Sequence, residues 1–344
     1  MSSRLVAAMA DSWDHPRTMV GVSILCEWAA LAGLSTDELL AGSEIPPDLL
    51  ADPEQLIEAR QEIAVVRSLL HAVGDRPGLG IEVGRLYHLT AYGYYGFLLA
   101  ACSTVRETVR HGFRYAPLTF AFSTMSVHET DTPSVVQALD ADDVPLDIRR
   151  FVVERDLAAA VQLQRELMPW PRRVPLREVR LADDVGRDPL PPVFAEHLGV
   201  PVSGGHPRTE LVYDAGFLDE TLPMASPHTA AVMARQCERI RTERLHRTGI
   251  AARVRARLLE RAALDVGFEE IAEALHYPPR TLRRRLAQEG TSFREILDEV
   301  RWTVAEDLLH TPTVPRREIA QRLGYQDWSS YRRARRRRQG RPSA

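Results

Sequence analysis

Glu270-Ile271-Ala272-Glu273-Ala274-Leu275-His276-Tyr277 recurs as Glu318-Ile319-Ala320-Gln321-Arg322-Leu323-Gly324-Tyr325, at a constant offset of 48 residues. Each copy places apolar residues at i, i+1 and i+4 (Ile271, Ala272 and Leu275; Ile319, Ala320 and Leu323), which line one face of a short amphipathic helix. A break follows: Pro278-Pro279 in the first copy, Gln326-Asp327 in the second. An Arg-rich segment comes next, Arg280–Gln288 and Trp328–Arg338, and each reads as a second helix. Helix, tight turn and basic helix is the helix-turn-helix layout.

The first basic helix separates cleanly on a helical wheel. Leu282 and Leu286 lie at i, i+4 and face inward together, while Arg280 and Arg284 point to the opposite side, flanked by Arg283 and Thr281. A guanidinium fork pairs bidentately with guanine O6 and N7 and also grips phosphates. A lone basic helix is most often a solvated face; two copies, each behind a matching first helix, weigh for DNA recognition. Between the copies, Phe293, Ile296, Leu297, Val300, Val304 and Leu308 form one apolar stripe over Ser292–His310. A helix of that length spans roughly 27 Å. It suits two recognition helices entering successive major-groove segments about 34 Å apart.

Charge follows the same division. Residues 230–344 carry a net +10 and residues 1–229 a net −13, which together give the overall −3. An acidic body joined to a basic, polyanion-binding module is the expected organisation. A chain of 344 residues points to two domains. All 44 basic residues are Arg, and Asn is also absent. Without Lys there is no P-loop lysine, Schiff-base lysine or kinase-type lysine. Cys26, Cys102 and Cys237 lie too far apart in sequence for a disulfide framework or a zinc pattern. Neither HExxH nor GxSxG occurs, and Gly78, Gly80 and Gly84 have the wrong spacing for a dinucleotide loop. The acidic pairs Asp142-Asp143 and Asp183-Asp184 read as solvated or capping residues. No catalytic residue, metal or cofactor is therefore expected. No run approaches the ~18 apolar residues of a membrane span, and Met1 to Asp14 lack the pattern of a signal peptide. The expected compartment is the cytoplasm, with no membrane association.

Upstream of the repeat, Val20–Leu31, Leu56–Ala72, Phe97–Tyr115 and Asp147–Leu167 read as helices, with Thr104 a candidate cap. Leu118, Phe120 and Phe122 alternate as on a half-buried strand. Ser126–Glu129, Ser134–Asp140, Val174–Leu181 and Glu210–Tyr213 read as further strands, Asp131-Thr132-Pro133 as a turn, and Pro201–Arg208 as a loop. The expected fold is an α+β N-terminal domain followed by an all-α C-terminal domain, in which a long helix joins two helix-turn-helix units. The expected boundaries are residues 1–228 for the first domain, 229–249 for a connecting helix, and 250–344 for the helix-turn-helix domain.

Phe268–Gly340 resembles the DNA-binding domain of AraC/XylS-type transcription regulators. The resemblance is carried by the Ile-Ala…Leu…Tyr frame in both copies, by Arg280-Thr281-Leu282-Arg283-Arg284-Arg285-Leu286, by Gly290-Thr291-Ser292-Phe293 and by Ala305-Glu306-Asp307-Leu308-Leu309. It implies DNA contacts from Arg280, Thr281, Arg283 and Arg284 in the first unit, and from Trp328, Ser329, Arg332 and Arg333 in the second. The chain departs from the family pattern at Arg335 and Arg338, where aromatics are usual. Tyr331–Arg338 holds six Arg in eight positions and reads instead as a phosphate-binding tail.

A second resemblance covers Val20–Leu245. Tyr92–Phe97, Ser103–Val109, Leu211–Asp219 and Leu222–Pro227 are similar to the arabinose-binding-type N-terminal domain of one branch of these regulators. It implies a small-molecule effector and a homodimer, with double-stranded promoter DNA as the main partner and a contact to RNA polymerase. The effector's identity does not follow from it. Aromatic density around Tyr92 makes His88, Tyr92, Tyr94 and Tyr95 the candidate ligand-binding residues. The competing reading is a small-molecule-binding protein or enzyme with a nonspecific basic DNA-binding appendage.

Overall fold

The computed structural model describes residues 3–9, 15–52, 55–130, 134–168, 173–186, 189–247, 249–259, 261, 263–288, 291–309 and 315–332. The chain divides into two compact units, Met1–Thr242 and Glu243–Ala344. The first holds strands β1 Ser3–Ala8, β2 Arg17–Thr18, β3 Leu56–Ile57, β4 Thr124–Thr130, β5 Ser134–Asp140, β6 Leu176–Ala182, β7 Val202–His206 and β8 Thr209–Asp214. Its helices are α1 Val20–Leu31, α2 Thr36–Leu40, α3 Ala59–Val73, α4 Leu79–Gly84, α5 Gly93–Ala101, α6 Val105–Arg114, α7 Leu146–Leu167 and α8 Pro192–Leu198; the unit boundary falls inside α9 Pro227–Arg247. The second unit holds α10 Gly249–Leu259, α11 Phe268–Ala274, α12 Pro279–Gln288, α13 Phe293–Leu309 and α14 Arg316–Arg322. An α+β first part and a helical second part are the fold class read from the sequence.

The main sheet runs β1-β4-β5-β8-β6-β7. Its pairs are antiparallel except β6 with β7, which is parallel. Helix α7 is shared by two buried clusters. Val153, Leu157, Ala158 and Val161 join sheet residues such as Val135, Leu211 and Tyr213. Ile148, Phe151, Val152 and Ala159 join α1 and α3 through Val22, Leu25, Val66 and Leu69.

The small residues of α4 allow it to lie directly on α7. A Cβ on Gly80 would stand 2.2 Å from the Phe151 carbonyl, and one on Gly84 would stand 2.4 Å from that of Arg155. These glycines, read in sequence as too irregular for a nucleotide loop, are a helix-packing seam. Glu154 closes the same seam, accepting the N–H groups of Gly78 and Gly80 at 3.0 Å. Burial pushes the Glu154 carboxyl up to about 7, although those two N–H bonds pull it down.

Several expectations change. Leu118–Phe122 forms no strand: Ala116–Leu118 is a 3₁₀ turn, and residues 119–122 pair with no strand. Nor does burial alternate as on a half-buried strand, because Thr119 and Ser123 are buried along with Leu118, Phe120 and Phe122. Side chains take the place of a neighbouring strand there. The Phe120 carbonyl accepts from Arg17 and Arg155, and the N–H groups of Phe122 and Ser123 donate to Asp156. Pro201–Arg208 contains β7 rather than only a loop, paired through Val202 and Ser203 beside β6. Phe97–Tyr115 is two helices, α5 and α6, broken at Cys102-Ser103; Thr104 caps α6 by accepting from the Glu107 N–H at 3.3 Å. Helix α3 starts at Ala59 because Leu56–Ile57 pairs with Arg17–Thr18. Strand β1 was not anticipated. The expected Asp131-Thr132-Pro133 turn lies outside the described residues.

Candidate nucleic-acid interface and effector cavity

The sequence repeat is a structural repeat. Leu275 and Leu323 end the first helices of the two copies, α11 and α14. The next residue is left-handed in both, His276 at φ 57° and Gly324 at φ 74°. The same bond closes each turn: Tyr277 N–H to the Ala272 carbonyl at 2.9 Å, and Tyr325 N–H to the Ala320 carbonyl at 2.8 Å. The second helix then starts by different means. Pro279 occupies the first position of α12. In the second copy Asp327 accepts the Ser330 N–H at 2.7 Å, capping a helix that begins at Trp328.

Leu282 and Leu286 of α12 are 0% and 1% exposed, in the same cluster as Ile271, Leu275, Ile296 and Val300. Arg280, Arg283 and Arg284 are exposed and Thr281 is half-buried, as the wheel requires. The arginines are not equivalent. The Arg283 guanidinium lies 4.9 Å from the Phe268 ring centre. Arg285 donates to Tyr277 Oη at 3.0 Å, which also accepts from Arg253 at 3.2 Å. Arg280 and Arg284 have no hydrogen bond or ion pair among the described residues, so their donors face water. An aromatic at the turn, present in both copies, was the sequence signal for the Arg253–Tyr277–Arg285 clamp, which the spacing alone did not reveal.

In the second copy Trp328 is half-buried, 4.9 Å from the Tyr331 ring, with the Arg316 guanidinium 5.8 Å from its own ring centre. Ser329 and Arg332 are exposed. Arg333, Arg335 and Arg338 lie outside the described residues. Gly324 cannot carry a side chain, because a Cβ there would be 2.2 Å from the Leu264 carbonyl. That carbonyl accepts from Arg301 at 2.7 Å, and the Leu264 N–H donates to the Arg322 carbonyl at 2.8 Å.

The first unit contains a cavity of about 140 Å³ between the sheet and helices α5, α6 and α7. Its wall is mostly apolar, with Leu99, Val109, Phe113, Val127, Val135 and Leu163 among its members. Polar atoms gather at two places. Gln137 on β5, Gln164 on α7 and Tyr213 on β8 form one group: Gln164 Nε2 donates to Gln137 Oε1 at 3.0 Å, and Tyr213 Oη donates to Gln164 Oε1 at 2.9 Å. Arg155 and Asp156 form the other. Asp156 Oδ1 accepts from Arg155 at 2.8 Å, and Arg155 also reaches Glu62 at 3.1 Å. Arg17 joins Glu62 at 3.4 Å, so two cations and two anions neutralise one another in the core.

Of the four sequence candidates for the ligand, Tyr92 and Tyr95 line this cavity and His88 and Tyr94 do not. Tyr95 Oη donates to the Gly112 carbonyl at 3.3 Å, and burial pushes the phenols of both lining tyrosines above their ordinary range. Tyr94 is 48% exposed because it occupies the outer face of α5. His88 is turned outward to Glu166, at 2.5 Å. Gln137, Gln164 and Tyr213 were missed: they come from three separate elements, and only the sheet register and α7 bring them together. Tertiary structure also gathers Cys102, Glu107 and His111, whose potential ligand atoms lie within 4.8 Å of one another. Two of them have internal roles, since Cys102 Sγ donates to the Leu98 carbonyl and Glu107 Oε2 accepts the Ser103 N–H.

Comparison with known proteins agrees with both parts. Residues 33–222 match the family described as the arabinose-binding domain of AraC transcription regulator, N-terminal, and residues 271–343 match a helix-turn-helix domain. An uncharacterised HTH-type transcriptional regulator of Mycobacterium tuberculosis is 35% identical over 326 residues, covering 92% of this chain and 91% of the relative. The ornithine utilization regulator of Pseudomonas aeruginosa is 26% identical over 315 residues, covering 90% of each chain. Among solved structures, the transcriptional regulator CdpR from Pseudomonas aeruginosa aligns at 23% identity and a TM-score of 0.43, over 94% of this chain and 96% of that one. The duplicated basic units and the N-terminal domain define a helix-turn-helix transcription regulator with a ligand-binding domain. The chain belongs to the AraC family of transcription regulators, in the branch with the arabinose-binding-type N-terminal domain.

Proposed function

We propose that this regulator reads promoter DNA through Arg280, Thr281, Arg283 and Arg284 of the first unit and Trp328, Ser329, Arg332 and Arg333 of the second, under control of a small molecule in the N-terminal cavity. One observation carries the DNA reading: two turns of the same geometry, 48 residues apart, each precede exposed arginine, Arg280, Arg283 and Arg284 in the first copy and Arg332 in the second. Unpaired Arg280 and Arg284 are the base readers. Arg283, steadied on Phe268, is suited to a phosphate. Residues 1–228 bind the effector, 229–249 connect, and 250–344 bind DNA.

A strap supports the coupling. Phe217, Leu218 and Leu222 line the cavity, and the chain runs from them directly into α9. The strap is tied down by Val105 N–H to the Glu220 carbonyl, Leu222 N–H to Ser103 and Ser226 N–H to Ala101. A ligand that favours one strap position shifts α9 with it, which is the differential interaction that control requires. The protein acts as a cytoplasmic homodimer that contacts RNA polymerase and performs no catalysis. Exposed Tyr94 and Phe97 on α5 support a self-association face, and among the described residues no helix is long and apolar enough to cross a membrane.

The test is Arg284→Ala in the full chain, titrated against a DNA site selected from a random pool and against unrelated DNA. Specific affinity falls by about 1–3 kcal/mol and selectivity relaxes at one base position. Equal loss on both DNAs contradicts base reading by this residue.

A further inference from the structure

Resting on the effector reading above, we infer the chemical class of the ligand: a neutral, mostly apolar molecule of about single-ring size that carries one hydrogen-bond acceptor, held by the Gln137–Gln164–Tyr213 group. Size comes first. A cavity of about 140 Å³ is close to the ~150 Å³ apolar cavity that admits benzene. The wall sets the polarity. Apart from Arg155 and Asp156, the lining among the described residues is uncharged. Those two are spent on each other and on their neighbours: Asp156 accepts from Arg155, Phe122 and Ser123, and Arg155 also donates to Glu62 and the Phe120 carbonyl. A carboxylate or ammonium entering here loses its water and meets no uncompensated opposite charge.

The amide group supplies direction. Gln137 is 8% exposed, and its Nε2 donates to Met125 Sδ at 3.3 Å, a thioether that accepts only weakly. An amide nitrogen carries two donors, so a ligand oxygen can replace or join that sulfur as a better acceptor. Tyr213 completes the group and stacks on Phe217 of the strap at 4.5 Å and 16°. The ligand's polar end therefore sits against the residue that touches the strap.

The experiment uses the full chain and four probes: toluene, benzyl alcohol, benzoate and benzylammonium, with Kd measured by calorimetry. Benzyl alcohol is expected to bind about fivefold tighter than toluene, one buried hydrogen bond's worth, and both ions at least about tenfold weaker than the alcohol. Gln137→Leu brings the alcohol and toluene together while toluene keeps its affinity. Ala160→Leu, which fills the cavity, removes binding of both. If Gln137→Leu melts early, Gln164→Met is read in its place. An ion that binds as tightly as the alcohol, an alcohol preference that survives in the folded variant, toluene binding that survives Ala160→Leu, or no saturable binding of either neutral probe each overturns the proposal. DNA affinity is measured in parallel. The expected probe pattern with unchanged DNA affinity supports the ligand class and counts against the effector reading alone.

Discussion

Gly324→Ala is the sharpest test of the turn that makes the second unit. At φ 74° an alanine occupies the left-handed region, at a cost of about 1–2 kcal/mol. Loss of glycine's freedom in the unfolded chain returns about 0.4–1 kcal/mol. The added Cβ also falls 2.2 Å from the Leu264 carbonyl, and the third-nearest atom is an Arg301 guanidinium nitrogen at 2.9 Å. The arginine end can move, but the carbonyl cannot do so easily, because the Leu264 N–H is bonded to Arg322 and its oxygen to Arg301. Overpacking against fixed backbone adds about 1–3 kcal/mol. The net is a loss of about 1–5 kcal/mol from the second unit, centred near 3. Hydrogen exchange at the Tyr325 amide, which bonds the Ala320 carbonyl, reads this opening directly and should speed up by at least about fivefold, and by about 150-fold at the centre of that range. His276→Gly is the matched control: the equivalent turn already carries a side chain at φ 57°, so its change stays within about 1 kcal/mol. Tyr325 protection within twofold of the parent in Gly324→Ala would refute the reasoning.

Two further predictions concern the first unit. Gly80→Ala drives a Cβ to 2.2 Å from the Phe151 carbonyl and pushes α4 off α7; thermal melting should show a loss of about 1–3 kcal/mol, and an unchanged melt would contradict the seam. Glu154, pushed up to about 7, keeps in the native state a proton that the unfolded chain releases near its ordinary 4.5. Stability therefore declines as pH rises through about 4.5 to 7, by up to about 3 kcal/mol. Glu154→Gln should flatten that slope in denaturant titrations, and an unchanged slope would remove Glu154 as its source.

The DNA-binding half was legible because its signals are local. The repeat, the Leu282/Leu286 stripe and the outward Arg280 and Arg284 all follow from helix period within ten residues or so. The effector half was less so. Tyr92 and Tyr95 could be picked out by aromatic density, but the same density also suggested Tyr94, and only the facing of α5 separates them. Nothing local in the sequence singles out the Glu154-Arg155-Asp156 run within Asp147–Leu167. In the structure all three residues are buried, at 0%, 1% and 3% exposure, because Glu154 caps α4 and the other two join Arg17 and Glu62. No periodicity announces a partner more than 90 residues away. The segment at Phe120 failed as a strand because its backbone partners are side chains of Arg17, Arg155 and Asp156, 34 to 103 residues away in sequence.

Selection of DNA from a random pool by the full chain, followed by hydroxyl-radical footprinting of the winning site against excess unrelated DNA, tests the central claim most directly. Two protected patches on one face of the duplex, about one helical turn or 34 Å apart, with unrelated DNA at hundredfold excess failing to compete, is the expected result. A pool that yields no enriched sequence, or a site from which unrelated DNA displaces the protein equally well, would contradict a two-unit, sequence-reading regulator.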